Sequence, residues 1–464
     1  MTTGIDLQGK RVLVVGLART GIATALFCAK HGAVVSASDS RTEKDVGVSI
    51  APLRAAGVAL ELGGHYEKTF LEQDLIIPSP GVPADAPLLK AARNKGATIW
   101  SEIELADYFL NGKLIGITGS NGKTTTTSLI EHILRNEGFS TVLAGNIGMP
   151  LIAHVEDTRD DTVTVVELSS FQLELTEKFR PNISVFLNLT PDHLDRHHTF
   201  EEYGAAKARI FRSQTEQDSA VLNADDPATS VLAPQKPRVY WFSRKQRVAQ
   251  GAYLRGEEIV FRNDGVEEAV MGCGDIPLAG GHNLENVLAA VAATRLAGAS
   301  SAAISNGIRS FSGVEHRLEF VSEIAGVRYY NDSKATNVDA TLKALEAFPG
   351  QVIVILGGKD KGSDYSVLRE PLKAKAELAL LIGAAADKIE KQIAGSVPFD
   401  RAGTMERAVQ IAAKAAKLGS VVLLAPACAS FDQFENYEHR GRVFKELVHQ
   451  LEHQAASATP SGKR

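Results

Sequence analysis

Short runs of aliphatic residues recur along the chain. Each ends in a glycine-rich or polar loop, and most are followed by apolar residues at helical spacing. Arg11-Val-Leu-Val-Val15 runs into Gly16-Leu-Ala-Arg-Thr-Gly21 and then a helical pattern on Ile22, Leu26 and Phe27. A second strand pattern, Ala33 to Ser38, ends at Asp39, and Asp74-Leu-Ile-Ile77 ends in Pro78-Ser-Pro-Gly-Val-Pro83. The alternation resumes at Leu114-Ile-Gly-Ile-Thr118 and continues through Thr141 to Ala144, Thr162 to Val166 and Ile183 to Asn188. Around Arg238 to Phe242 and Gly256 to Arg262 it shifts to short strands separated by turns. A last series, Gly326 to Tyr330, Val352 to Leu356, Leu378 to Ile382 and Val421 to Leu424, delivers four polar loops to one sheet edge. Continuous apolar runs predict strands buried on both faces, and the helices between them predict parallel sheets. The expected class is α/β in three domains: a Rossmann-like domain over 1–110, a central P-loop ATPase-type mononucleotide-binding domain over 111–312, and a second Rossmann-like domain over 313–464.

The stretch from Leu114 to Thr127 carries the most chemistry. A strand, the turn Gly119-Ser-Asn-Gly122 and Lys123-Thr124 at the start of a helix make a cradle for a polyphosphate. Glycines let backbone N–H groups crowd an anion, the helix N-terminus adds positive potential, Lys123 adds a charge, and Thr124 offers a hydroxyl to Mg²⁺. The general pattern wants glycine at position 117, where this chain has Ile117. Glu167, at the end of a buried strand, is placed for a metal beside a bound triphosphate. Thr190-Pro-Asp-His-Leu-Asp-Arg-His-His198 holds three histidines without the glutamate of a zinc-protease helix. Asp192 or His193 is read as a polar contact near a Mg²⁺–phosphate centre, and His197 and His198 as solvated. Lys207 sits among alanines on a helix and by itself reads as solvent-facing; Asn283 reads as a helix cap, and Asn286 as a cap or a base-edge reader. In the first segment Ala18 stands where a dinucleotide fingerprint has glycine, and Asp39 stands where an acid meets a ribose. A nicotinamide-type site and a ligand-free βα turn remain equally good readings of that stretch. Lys334, Lys361 and Ser430 lie on the last segment's loops, an edge suited to an amino acid bearing carboxylates or simply to a solvated rim.

Composition narrows the classes. The chain has 464 residues, 44% hydrophobic and 23% charged, with net charge −5, so no basic footprint for nucleic acid is visible. Cys28, Cys273 and Cys428 are widely separated, which fits a reducing compartment better than a disulfide framework. A strand at position 11 leaves no room for a signal peptide, and no apolar run approaches the roughly 18 residues that span a bilayer. The expectation is a cytoplasmic monomer acting on small molecules, without nucleic-acid or membrane partners.

Taken jointly, Thr118-Gly-Ser-Asn-Gly-Lys-Thr-Thr125, Glu167-Leu-Ser-Ser170, His282-Asn283 with Asn286, His316-Arg317 and Asn331-Asp-Ser-Lys-Ala-Thr-Asn337 resemble the Mur ligases, ATP-dependent amide-forming enzymes of peptidoglycan synthesis. Ser169-Ser-Phe-Gln-Leu-Glu174, Pro426-Ala-Cys-Ala-Ser-Phe-Asp-Gln-Phe434, Tyr437 and Arg440-Gly441 are most similar to the branch that adds D-glutamate. The resemblance implies that ATP phosphorylates the carboxylate of UDP-N-acetylmuramoyl-L-alanine and that D-glutamate attacks the acyl phosphate. It implies that Gly119, Ser120, Asn121, Gly122, Lys123, Thr124 and Thr125 hold the phosphates, and that Asn286, Arg317 and Asp332 hold adenine and ribose. Thr124, Glu167, His193 and Lys207 would serve two Mg²⁺ ions, with Lys207 carbamylated, and Lys123, His193 and Lys207 would be the catalytic set. Arg19, Thr20, Asp39, Ser40, Ser79, Gly81, Asn146 and Ser169 would face the UDP substrate. Thr336, Lys361, Ser430 and Tyr437 would hold D-glutamate. An NAD-linked oxidoreductase and a phosphate-loop switch protein are the competing classes.

Overall fold

In the computed structural model, which describes residues 5–46, 49–278 and 280–458, the aliphatic runs gather into three sheets. The first contains β1 (Arg11–Val15), β2 (Val34–Asp39), β3 (Ala59–Leu62), β4 (Leu75–Pro78) and β5 (Thr98–Ile99), in the order β3-β2-β1-β4-β5. Every pairing is parallel. The strand order reverses beside β1, so the loops after β1, β2 and β4 open a crevice at the carboxyl edge.

The second sheet comprises β6 (Lys113–Thr118), β7 (Ser140–Gly145), β8 (Thr162–Glu167), β9 (Ile183–Phe186), β10 (Ser219–Asn223), β11 (Arg238–Ser243), β12 (Gly251–Arg255), β13 (Glu258–Asn263) and β14 (Val266–Gly272). It is parallel from β7 to β12 and ends in the antiparallel ladder β12-β13-β14. The short-strand pattern seen in the sequence is therefore an extension of this sheet. β6 lies between β8 and β9, and every residue of β8 is buried, so the ends of β6 and β8 are fixed in register.

The third sheet has β15 (Glu319–Ile324), β16 (Val327–Asn331), β17 (Val352–Gly357), β18 (Ala376–Ile382), β19 (Phe399–Gly403) and β20 (Val421–Leu424), in the order β15-β16-β20-β17-β18-β19. The four expected strands are parallel neighbours, flanked by antiparallel β15 and parallel β19.

Three sheets make two compact units. One is Met1–Ile276 with Leu284–Phe311, and the other is Pro277–Asn283 with Ser312–Arg464. The first two sheets share a core running from Leu7 and Val12 through Leu151 and Leu168 to Leu222. Two buried carboxylates from the helix Glu102–Asp107 tie them together. Glu104 accepts the N–H groups of Glu177, Lys178 and Phe179 at 2.8–2.9 Å, and Glu102 accepts that of Ile152 at 2.7 Å.

Candidate active site

The phosphate cradle forms where β6 meets the helix Lys123–Asn136, which starts earlier than its apolar face alone indicates. Gly122 caps that helix at φ +83°, and a Cβ there would lie 2.2 Å from Asn286 Oδ1. Only glycine fits both the left-handed backbone and the approach of Asn286. Thr126 donates to the same Asn286 oxygen at 3.3 Å, which joins the loop to the helix Gly281–Ala297. That helix begins at Gly281, so Asn283 lies inside its first turn and not ahead of it as a cap. Ser120 N–H donates to Asn188 O at 2.9 Å, and Asn121 N–H to Asn188 Oδ1 at 2.8 Å. The Ser120 hydroxyl donates to Thr190 O at 3.0 Å. Lys123 turns back to donate to the carbonyls of Gly119 and Ser120, both at 2.9 Å. Thr124 and Thr125 are buried in the first helical turn.

Glu167 stands at the end of β8, beside this loop through the β6 pairing. It is 2% exposed; Oε1 accepts the Asn146 amide at 2.8 Å, while buried Oε2 has no hydrogen-bond partner among the described residues. A buried carboxylate oxygen without a donor is costly unless a cation or ligand completes it. Among the described residues no cluster of three His, Cys, Asp or Glu side chains makes a metal cage. One carboxylate with hydroxyls nearby, completed by substrate phosphates, is nonetheless how Mg²⁺ is commonly held. Glu167, with one buried oxygen lacking a donor, is chemically suited to such an ion.

Lys207 is not solvent-facing. It is 2% exposed, donates to Gly119 O at 2.8 Å, and lies 4.7 Å over the ring of Tyr203, one helical turn earlier. Burial, reinforced by the Lys123 charge, holds its amine well below the ordinary lysine range. Tyr203 also meets Ser120 Oγ at 3.2 Å, so one aromatic residue supports both the loop and the lysine. Four-residue spacing on one helix is the signal by which the sequence exposes Tyr203.

The histidines divide differently from expectation. His193 adopts a left-handed backbone (φ +53°), is about half exposed, and its ring meets Phe171 edge-on at 4.9 Å. His197 is buried, contrary to its reading as solvated; Nε2 lies 2.9 Å from Ser170 Oγ and Nδ1 3.3 Å from Glu174. Arg196 donates to Glu174 at 2.8 Å and to the carbonyl of Val82 at 2.9 Å. Residues 196 and 197 thus anchor the segment, while His193 and His198 are exposed.

At the first sheet's edge, Asp39 accepts Leu17 N–H at 2.7 Å, and Arg41 grips both its oxygens at 2.7 and 2.9 Å. Arg41 holds this carboxyl well below the usual carboxylate range. Ser79 donates to Gly16 O at 2.7 Å. Arg19 is exposed at the first position of the helix Arg19–Lys30, followed by half-buried Thr20, and Ser40 and Gly81 are exposed. The Ser169 hydroxyl is occupied in a capping box with Gln172.

In the second unit, buried His316 (φ +65°) and Leu318 (φ +42°) flank Arg317 with strained backbone. Arg317 Nε is buried without a hydrogen-bond partner among the described residues. Asp332 is 8% exposed, and burial pushes its carboxyl up to about 7 against the pull of Arg317. Lys334 donates to the Tyr437 hydroxyl at 3.1 Å. Thr336 is half-buried, Lys361 exposed and Ser430 buried. Arg440, fully buried, donates to Ser333 O at 2.8 Å and Cys428 O at 3.1 Å, bolting the loops after β16 and β20 together.

Comparison with known proteins adds three matches in chain order. Residues 10–101 match the Mur ligase MurD-like N-terminal domain, 117–294 the Mur ligase middle domain, and 316–428 the Mur ligase glutamate ligase domain. A relative from Acidobacterium capsulatum, named UDP-N-acetylmuramoylalanine--D-glutamate ligase, is 54% identical over 457 residues, covering 98% of this chain and 99% of the relative. The protein of that name from Koribacter versatilis is 52% identical, covering 97% and 99%. In fold, the chain is similar to UDP-N-acetylmuramate-alanine ligase from Thermotoga maritima (TM-score 0.58, 20% identity, 95% and 100% covered). It is equally similar to a pseudomurein peptide ligase from Methanothermus fervidus (TM-score 0.58, 20% identity, 96% and 100% covered).

Proposed function

Because this chain belongs to the Mur ligase family, we propose that its phosphate cradle serves carboxylate activation. It is an ATP-dependent ligase of peptidoglycan precursor synthesis that adds D-glutamate to UDP-N-acetylmuramoyl-L-alanine. A carboxylate is a poor electrophile. Moving the γ-phosphoryl of ATP onto its oxygen creates a leaving group, and the neutral amine of D-glutamate then displaces phosphate, leaving ADP and the new amide. The carrying observation is the glycine loop backed by buried Glu167, whose Oε2 has no hydrogen-bond partner among the described residues.

Lys123 swings from its loop carbonyls to the β/γ-phosphates, which the amides at the helix start, 122–125, also hold, while those of Ser120 and Asn121 brace the loop on Asn188. Thr124 and Glu167 would hold a Mg²⁺, which would supply positive charge to offset that of the phosphates. Burial and the Lys123 charge hold the Lys207 amine well below the ordinary lysine range, which favours its attack on carbon dioxide with loss of a proton to solvent; the resulting carbamate, with His193, would hold a second cation. Arg317 and Asp332 take the nucleoside, as does Asn286. The first crevice, with Arg19, Thr20, Asp39, Ser40, Ser79, Gly81 and Asn146, takes the UDP substrate. Domain limits at 110/111 and 312/313, a monomeric state and a cytoplasmic location belong to the same proposal. No helix among the described residues is long and apolar enough to cross a membrane. The nicotinamide reading loses ground because Ala18 stands where the dinucleotide fingerprint needs glycine.

Phosphate release from ATP should require both UDP-N-acetylmuramoyl-L-alanine and D-glutamate. Robust turnover with L-lysine, diaminopimelate or L-alanine would overturn the amine assignment.

A further inference from the structure

Lys361 and Ser430 lie on different loops, after β17 and after β20. A two-residue main-chain bridge joins these loops: Lys359 N–H donates to Ala429 O at 2.8 Å, and Ala429 N–H to Lys359 O at 3.2 Å. A side-chain junction lies beside it. The fully buried Tyr365 places its hydroxyl 2.8 Å from Asp360 Oδ1 and 3.0 Å from Cys428 Sγ. Asp360 Oδ1 also accepts Ser363 N–H at 3.2 Å, and Oδ2 accepts the Lys388 ammonium at 2.8 Å. Lys388 lies 5.4 Å over the Tyr365 ring.

The chemistry sets the direction of each bond. Lys388, with the tyrosine hydroxyl, holds the Asp360 carboxyl at about 2, so it is ionised and only accepts. Tyr365 therefore donates to Asp360, and its remaining lone pair accepts the Cys428 thiol proton, which burial retains by pushing the thiol up to about 11. The relay runs from Cys428 to Tyr365 to Asp360, with Lys388 at its far side. Asp360 immediately precedes Lys361, and Cys428 lies two residues before Ser430.

We propose that Tyr365 and Asp360 are positioning residues for the amine substrate: the buried hydroxyl clips the Lys361 loop to the Ser430 loop and fixes the separation at which they receive an amino acid with two carboxylates. This rests on the assignment of Lys361 and Ser430 to D-glutamate. A hydroxyl that merely stabilises the sheet would not single out one substrate.

Tyr365→Phe keeps the ring and removes the clip. KM for D-glutamate should rise about tenfold, the effect of losing roughly one good hydrogen bond, while KM for ATP and for UDP-N-acetylmuramoyl-L-alanine stays within about twofold. Lys388→Met, at a partly exposed position, should raise the D-glutamate KM about threefold with the same selectivity. Cys428→Ser, which keeps an O–H donor, should leave it unchanged. An unaltered D-glutamate KM in both Tyr365→Phe and Lys388→Met, or a parallel rise for all three substrates, overturns the proposal. Wild-type enzyme whose phosphate release ignores D-glutamate would instead overturn the functional assignment itself, so the two failures are distinguishable.

Discussion

Lys123 and Lys207 donate to one oxygen, the carbonyl of Gly119, at 2.9 and 2.8 Å. Burial and the charge of Lys123 together lower the pKa of the more buried amine, that of Lys207. A neutral lysine is the form that reacts with carbon dioxide. Lys207→Ala is expected to lower kcat by about a hundredfold or more, the scale of losing one preorganised electrostatic group. Acetate or formate should restore part of that activity. A fully active alanine variant would remove Lys207 from the mechanism.

Gly122→Ala tests the cradle without touching a charged group. The added methyl meets Asn286 Oδ1 at 2.2 Å on a backbone at φ +83°. The strain of a left-handed alanine alone is about 1–2 kcal/mol. Urea denaturation should register that loss, and KM for ATP should rise more than KM for D-glutamate. An unchanged ATP KM would show that Asn286 moves aside freely.

Asp332 predicts an unusual pH response. Its carboxyl is held at about 7 in the folded chain, against about 3.9 for a free aspartate. The folded state therefore binds the extra proton, and the stability it contributes is complete below about 3.9 and lost as pH rises through about 7. Asp332→Asn should melt higher than wild type at pH 8, by about 2 °C or more, and match it near pH 4. ATP binding should weaken in the same variant. Melting curves displaced equally at both pH values would contradict the burial argument.

Asp39 has the opposite sign. Arg41 and the Leu17 amide depress its pKa, so its contribution is present above about 3.9 and fades as pH falls. Asp39→Asn is expected to cost about 2 kcal/mol at pH 7, because a buried N–H and a guanidinium lose a charged acceptor. The difference should shrink below pH 4. Chemical denaturation at both pH values is the check, with KM for the UDP substrate read alongside.

Local backbone chemistry was legible in the sequence; side-chain surroundings were less so. The loop from Gly119 to Thr125 encodes its geometry in glycines, a lysine and threonines within a few residues, and Glu167 is marked by the strand it ends. The burial of Lys207 depends on Tyr203 and on Gly119, 88 residues away, so its alanine-rich neighbourhood was uninformative. His197 was misread for the same reason: Glu174 and Ser170 come from an earlier helix. The hydroxyl of Tyr365 and the thiol of Cys428 stand 63 residues apart and carry no shared pattern.

Glu102 and Glu104 bear on how the protein comes apart. Their carboxylates spend four hydrogen bonds on backbone amides of the central segment, inside a core that the first two sheets share. Neither sheet can lose its packing without exposing the other's apolar face and orphaning those amides. Three sheets should therefore give two calorimetric transitions, and a protease cutting near residue 110 should wait for both sheets of the larger unit to open.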